Sequence, residues 1–218
     1  MNRTGRQEPP PFAGEEVRAA LVRQWQAIGA AVPGIELDRP SRVDGWRNRE
    51  VLAHLYVQPI MLGRFLETSG EVRSPALTAT TNLAGTRSFG AAIDTSAREG
   101  AALGKADLAA SAERVLPALL AADLGSSVVT VQGSILLVDY LVTRCVEAVV
   151  HGGDLIDPVE PDPVAQSVAA RALMDVLATT APDLVTVAES QPMPDWIDLA
   201  TGRRVGAGAL AQVLPVMA

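Results

Sequence analysis

Glu147 and His151 stand four residues apart, one helical turn on nearly the same face. A carboxylate oxygen and an imidazole nitrogen spaced in this way can point at one spot. His54 is the other of the two histidines in the 218-residue chain. Three N/O ligands with an open fourth position are the arrangement of a catalytic zinc rather than a structural one. The stretch 135–150 is apolar almost all round, and a carboxylate buried there is costly unless it is paired or bound to a metal. A plainer reading competes: Glu147 pairs with Arg144 or Arg49, and each histidine is a hydrogen-bonded core residue. Asp139 belongs to the same four-residue row, with Thr143, Glu147 and His151. It lies about 12 Å along the axis from Glu147 and cannot share its ion.

These residues need helices to position them. Val17, Leu21, Trp25, Ile28 and Val32 fall on one face and predict a first helix over 15–31, stopped by Pro33-Gly34. A second helix is expected over 48–68, capped by Asn48 and kinked at Pro59. The stretch 69–105 reads as a long connection rich in Gly, Ser, Thr and Ala, with room for a short helix inside it. A third helix follows over 106–122, then an extended segment at 128–131. The fourth helix is expected over 134–151, ended by Gly152-Gly153. Asp162-Pro163 opens a fifth, reaching about residue 180. The remainder reads as a strand at 184–188, a turn at 195–202 and a final apolar helix. His54 near the start of helix two and His151 at the end of helix four can share an ion only if those helices run antiparallel. An up-down-up-down bundle makes them parallel, so one long crossover is required, and the connection 69–105 is long enough to supply it. The expected fold is therefore all-α dominated: a four-helix bundle, up-down-down-up, with a small C-terminal α/β or α appendage. The divisions are a disordered tail at 1–13, the bundle at 14–158 and the appendage at 159–218.

Composition narrows the function classes. A net charge of −7 carries no cationic footprint for nucleic acid. One cysteine excludes an internal disulfide and a multi-thiolate zinc site, in keeping with a reducing compartment. The first eleven residues are polar and proline-rich, unlike a secretory signal. Asp139, Arg144 and Glu147 interrupt the most apolar stretch, so no membrane span is expected. A cytoplasmic protein is the expectation.

Certain residues also carry a resemblance. Gly45-Trp46, Val51-Leu52-Ala53-His54-Leu55, Asp139-Tyr140-Leu141 and the run Glu147, His151, Asp154, Leu155 resemble the mycothiol-dependent maleylpyruvate isomerase family, part of the DinB-like superfamily of metal-binding four-helix bundles. The resemblance covers about 16–155 and implies His54, Glu147 and His151 as the ligands of zinc or another divalent metal. It implies mycothiol as a small-molecule thiol partner and a small electrophilic substrate. Thiolate addition to an electron-poor double bond, rotation and elimination would isomerise such a substrate; addition or displacement alone would be S-transfer. The segments 196–203 and 214–216 resemble the end of the sterol-carrier-like domain found in many relatives, here shortened to a remnant. An arginine of that domain is implicated in activity, which suggests Arg203 as its catalytic counterpart. Arg64, Arg87 and Arg144 are further candidates for holding a substrate carboxylate. The lone Cys145 lies about 200° round the helix from Glu147, so the reactive thiol is expected to come from the cofactor. Trp25, Trp46 and Trp196 read as core or loop anchors. A second functional reading stands beside the enzyme: a non-catalytic, metal-stabilised bundle whose apolar C-terminal helix serves partner binding or a homodimer.

Overall fold

The computed structural model describes residues 12–67 and 75–217. Most of the tail expected at 1–13, and the end of the second helix expected at Thr68, lie outside the described residues. Four long helices form the body: α1 (Gly14–Ala31), α2 (Asn48–Glu67), α5 (Leu108–Ala121) and α6 (Leu137–Asp154). Their relative directions can be read from the side chains that meet. Val17 meets Cys145 and Ile28 meets Gly152, so α1 and α6 run parallel. Arg18 donates to the Leu119 carbonyl at 3.0 Å, while Gly29 packs on Ala109, so α5 opposes α1. Along α2, His54, Gln58 and Phe65 meet Glu147, Arg144 and Tyr140 in turn, so α2 opposes α6. The shared core includes Val17, Leu21, Trp25, Leu52, Leu55, Leu119, Leu141 and Val146, all nearly or completely buried. No helix is long and apolar enough to cross a membrane among the described residues.

Between α2 and α5 the connection holds two helices rather than the one short helix that the sequence allowed for. It carries α3 (Ala79–Gly85) and α4 (Gly90–Ala102), and α4 lies against α2. The approach is close because Gly100 has no side chain: a Cβ there would come within 3.1 Å of the Ala53 Cβ, beside His54. The fourth expected helix begins three residues late. Gly133–Leu136 forms a strand, β2, paired antiparallel with β1 (Ser127–Thr130), with Ser127 opposite Leu136 and Thr130 opposite Gly133. Gly152 and Gly153 do not stop α6, which continues to Asp154. Asn48 is not a cap either. The Glu50 carboxylate takes the Arg47 N–H at 2.8 Å, while buried Asn48 bridges the Glu36 carbonyl and the Ile156 N–H.

The C-terminal part is helical throughout its regular structure. Asp162 caps α7 (Pro163–Thr180) by accepting from Val164 and Ala165 N–H, both at 3.0 Å. This helix packs on α6 and α1. The strand expected at 184–188 is instead a short helix, α8 (Val185–Glu189), and the turn expected at 195–202 is mostly α9 (Met193–Ala200). The apolar end forms only a 3-10 turn over Gly208–Gln212, with Leu210 and Met217 buried. Leu184, Val185, Val187 and Ala188 do not alternate with polar residues, and they fit a single helical turn beside α7.

Candidate metal centre

His54 sits in the second turn of α2, and Glu147 and His151 on successive turns of α6. Because the two helices are antiparallel, all three side chains meet. The Glu147 Oε2 atom lies 2.9 Å from His54 Nε2 and 3.4 Å from His151 Nε2, and one ligand atom from each residue falls within 4.8 Å of the others. A tetrahedral ion with bonds near 2.1 Å has ligand edges of roughly 3.4 Å, which the Glu147–His151 separation matches and the Glu147–His54 separation undercuts by about half an ångström. His54 and Glu147 are each 8% exposed and His151 13%. Neither arginine proposed as a partner of Glu147 pairs with it among the described residues. Arg49 binds Asp38 and Glu50, and Arg144 donates to Gln58 Oε1.

Electrostatics favour the ligand forms of Glu147 and His54, whereas His151 must give up a proton to bind a cation. Burial opposes the charge on Glu147, yet hydrogen bonds with His151 and His54 and the nearby Arg144 charge hold it well below the usual carboxylate range. Burial pushes His54 down, which favours the neutral imidazole that can donate a lone pair. Burial also acts against a charged His151, but hydrogen bonds to Asp154 and Glu147 outweigh it and raise the group to about 9. The Nδ1–H of His151 donates to Asp154 Oδ2 at 2.8 Å, which leaves Nε2 as the atom facing Glu147.

One polar conflict tests whether an ion fits. His54 Nε2 faces a carboxylate oxygen, which calls for a donor, and the Gln58 amide nitrogen at 3.1 Å, which calls for an acceptor. Arg144 fixes the orientation of that amide by donating to Oε1. One ring nitrogen cannot serve both partners. A cation between His54 Nε2 and Glu147 Oε2 would supply the positive partner that the Glu147 contact calls for and would take the Nε2 lone pair, so the Gln58 amide N–H would turn to another acceptor. Two imidazoles with one carboxylate suit zinc.

The remaining candidates separate clearly. Arg203 grips Asp154 through Nε at 3.0 Å and Nη2 at 2.7 Å, one residue removed from His151. Arg87 donates to the Pro215 carbonyl, and Arg64 is exposed with no ion pair among the described residues. Arg144 lies over the Tyr140 ring, 4.8 Å from its centroid, without an acidic partner among the described residues. Cys145 is fully buried with Sγ 3.8 Å from the Val17 carbonyl, on the side of α6 that faces α1, and burial pushes its thiol pKa up.

Trp46 is a site residue that the sequence reading treated as a plain anchor. Its ring lies 5.8 Å from that of His54 and 6.2 Å from that of His151, nearly parallel to the latter. Gly45 adopts φ +73°, a conformation costly for other residues, and so turns the chain to deliver Trp46. The usable signal was the Gly45-Trp46 pair quoted in the resemblance. Asp154 was legible in the same way, three residues after His151, where an i,i+3 contact is natural.

The class that these features define is a helical bundle with a His/Glu/His cluster between antiparallel helices that could hold a metal ion. The chain matches the family model of the mycothiol maleylpyruvate isomerase N-terminal domain over residues 18–156, and it belongs to that family. Comparisons with curated proteins and with solved structures find no match.

Proposed function

We propose that this chain is a mycothiol-dependent metalloenzyme, a thiol-using isomerase or S-transferase acting on a small electrophilic substrate. The observation that carries the reading is the convergence of His54, Glu147 and His151 in a chain of this family. The directions of α1, α2, α5 and α6 support a DinB-like up-down-down-up bundle with its crossover over 69–105. The segment 159–218 is the remnant of a sterol-carrier-like domain, a reading supported by the 196–203 motif.

His54, Glu147 and His151 would hold zinc or another divalent cation. Such a cation, when bound, supplies a positive charge that lowers the pKa of a thiol in its open position. The protein's own part is positional. Glu147 stays ionised among the two imidazoles, and His54 and His151 turn Nε2 inward. Gln58 presents an amide N–H beside His54, and Arg144 steadies it while keeping a positive charge close to the ligand set. Trp46 keeps water off the histidine rings. Because Cys145 faces α1, the reacting thiol is a small molecule.

The test has two stages. Protein purified without chelator is expected to contain a stoichiometric divalent metal, and to consume electrophiles only when mycothiol is added. Protein that is isolated metal-free and takes up no zinc would remove the metal site. Metal-loaded protein that is inactive with mycothiol across a broad electrophile panel would remove the enzyme and leave a metal-stabilised bundle.

A further inference from the structure

We propose that Arg203 is a positioning residue for the metal site, acting through Asp154 on His151, and that the C-terminal segment thereby sets metal affinity without contributing a ligand. The inference rests on the metal reading above. Its basis is the disposition of the donors of one guanidinium. Nε goes to Asp154 Oδ1 at 3.0 Å, Nη2 to Oδ2 at 2.7 Å and Nη1 to the Thr201 carbonyl at 2.7 Å. A planar fork engaged in this way fixes the carboxylate plane, which a lysine ammonium cannot do. Asp154 is completely buried, and the same Oδ2 takes the Nδ1–H of His151 at 2.8 Å. Plane and tautomer of the imidazole are therefore set from outside the ligand trio, by a carboxylate that is itself held by Arg203.

The segment bearing Arg203 is anchored as well. The Arg203 N–H donates to the Asp198 carbonyl at 2.8 Å, and Arg42 binds the Asp198 carboxylate at 2.6 Å. Arg42 also gives its own N–H to the Asp154 carbonyl at 2.8 Å. Arg42 thus steadies the same region without touching a histidine, which makes it the natural control.

Zinc affinity of the full chain, measured by competition with a chromophoric chelator, tests the proposal. Asp154→Asn is expected to weaken zinc binding about 10- to 100-fold, and Arg203→Met about 10-fold. The double variant should be no worse than Asp154→Asn, because both changes act on one contact. Arg203→Lys should fall between Arg203→Met and the unchanged protein, with a Co(II) absorption spectrum shifted from that of the unchanged protein. Arg42→Met should lower the melting temperature while leaving zinc affinity unchanged. Wild-type zinc affinity in Arg203→Met, or multiplicative losses in the double variant, would overturn the proposal. If Arg203→Met fails to fold, Arg203→Lys decides: unchanged affinity and spectrum would overturn it equally. An unchanged protein that binds no zinc at all would instead overturn the metal reading itself.

Discussion

The indole N–H of Trp46 donates to Asp94 Oδ1 at 2.7 Å, so the ring beside both histidines is fastened from α4 rather than from the helices that carry the ligands. Asp94 is in turn held by Arg98, which also reaches the Gly45 carbonyl at 3.2 Å. The helix inside the long connection thus fixes the turn that covers the site.

Trp46→Ala should therefore cost about 3 kcal/mol of stability, as deletion of a buried aromatic ring does, and Trp46→Phe less. Asp94→Ala, which leaves the indole without its acceptor, should lower the melting temperature and change the tryptophan fluorescence on zinc addition. Urea denaturation and emission spectra check both; full stability in Trp46→Ala would show that the ring is not packed as described.

His54→Ala and Glu147→Ala should each bring zinc content to background by elemental analysis. Far-UV circular dichroism should stay helical, because the core of α1, α2, α5 and α6 is apolar and does not depend on these side chains. Metal retained at full occupancy in both variants would dismiss the trio.

Asp162 gives a pH signature. Its hydrogen bond to Arg23, then the α7 cap, holds its carboxyl below the ordinary range. A depressed pKa in the folded state means that the contribution is present above the unfolded value of about 3.9 and is lost as pH falls through the folded value. Asp162→Ala should therefore cost about 1 kcal/mol near neutrality. That difference should shrink as the pH is lowered below 4, as read by denaturant titrations at several pH values. A cost that stays constant down to acid pH would rule out the ionised carboxylate as its source.

Cys145 should resist alkylation by iodoacetamide in the folded protein even at mildly alkaline pH, since burial raises its pKa and hides its sulfur. Modification should become complete in denaturant. Rapid modification of the native protein would place the thiol on the surface and reopen it as a reactive group.

The parts of the molecule that the sequence revealed are those governed by local periodicity. The apolar stripe of α1 and the Asp162-Pro163 start of α7 are local signals and could be read directly. The four-residue step from Glu147 to His151 places both on one face whatever the tertiary structure. Less legible was α4: its buried face is Ala97 and Gly100, and small residues leave no hydrophobic stripe to count. The β2 strand escaped because apolar residues run unbroken from Ile135 to Val138, with no Gly, Pro or capping residue at the change from strand to helix. Trp46 over the histidines and Arg203 on Asp154 depend on segments far apart in sequence, and nothing in their local spacing announces such contacts.

Asp154 is bonded at three places: its carbonyl by Arg42, its carboxylate by His151 and by Arg203. The loop before α2, the end of α6 and the C-terminal segment are thus joined at one residue. Local opening of any one of them breaks charge-assisted bonds held by the others, which makes partial unfolding costly. Residues 159–218 and the His/Glu/His cluster should therefore melt in a single cooperative transition, with no separate step for the C-terminal segment.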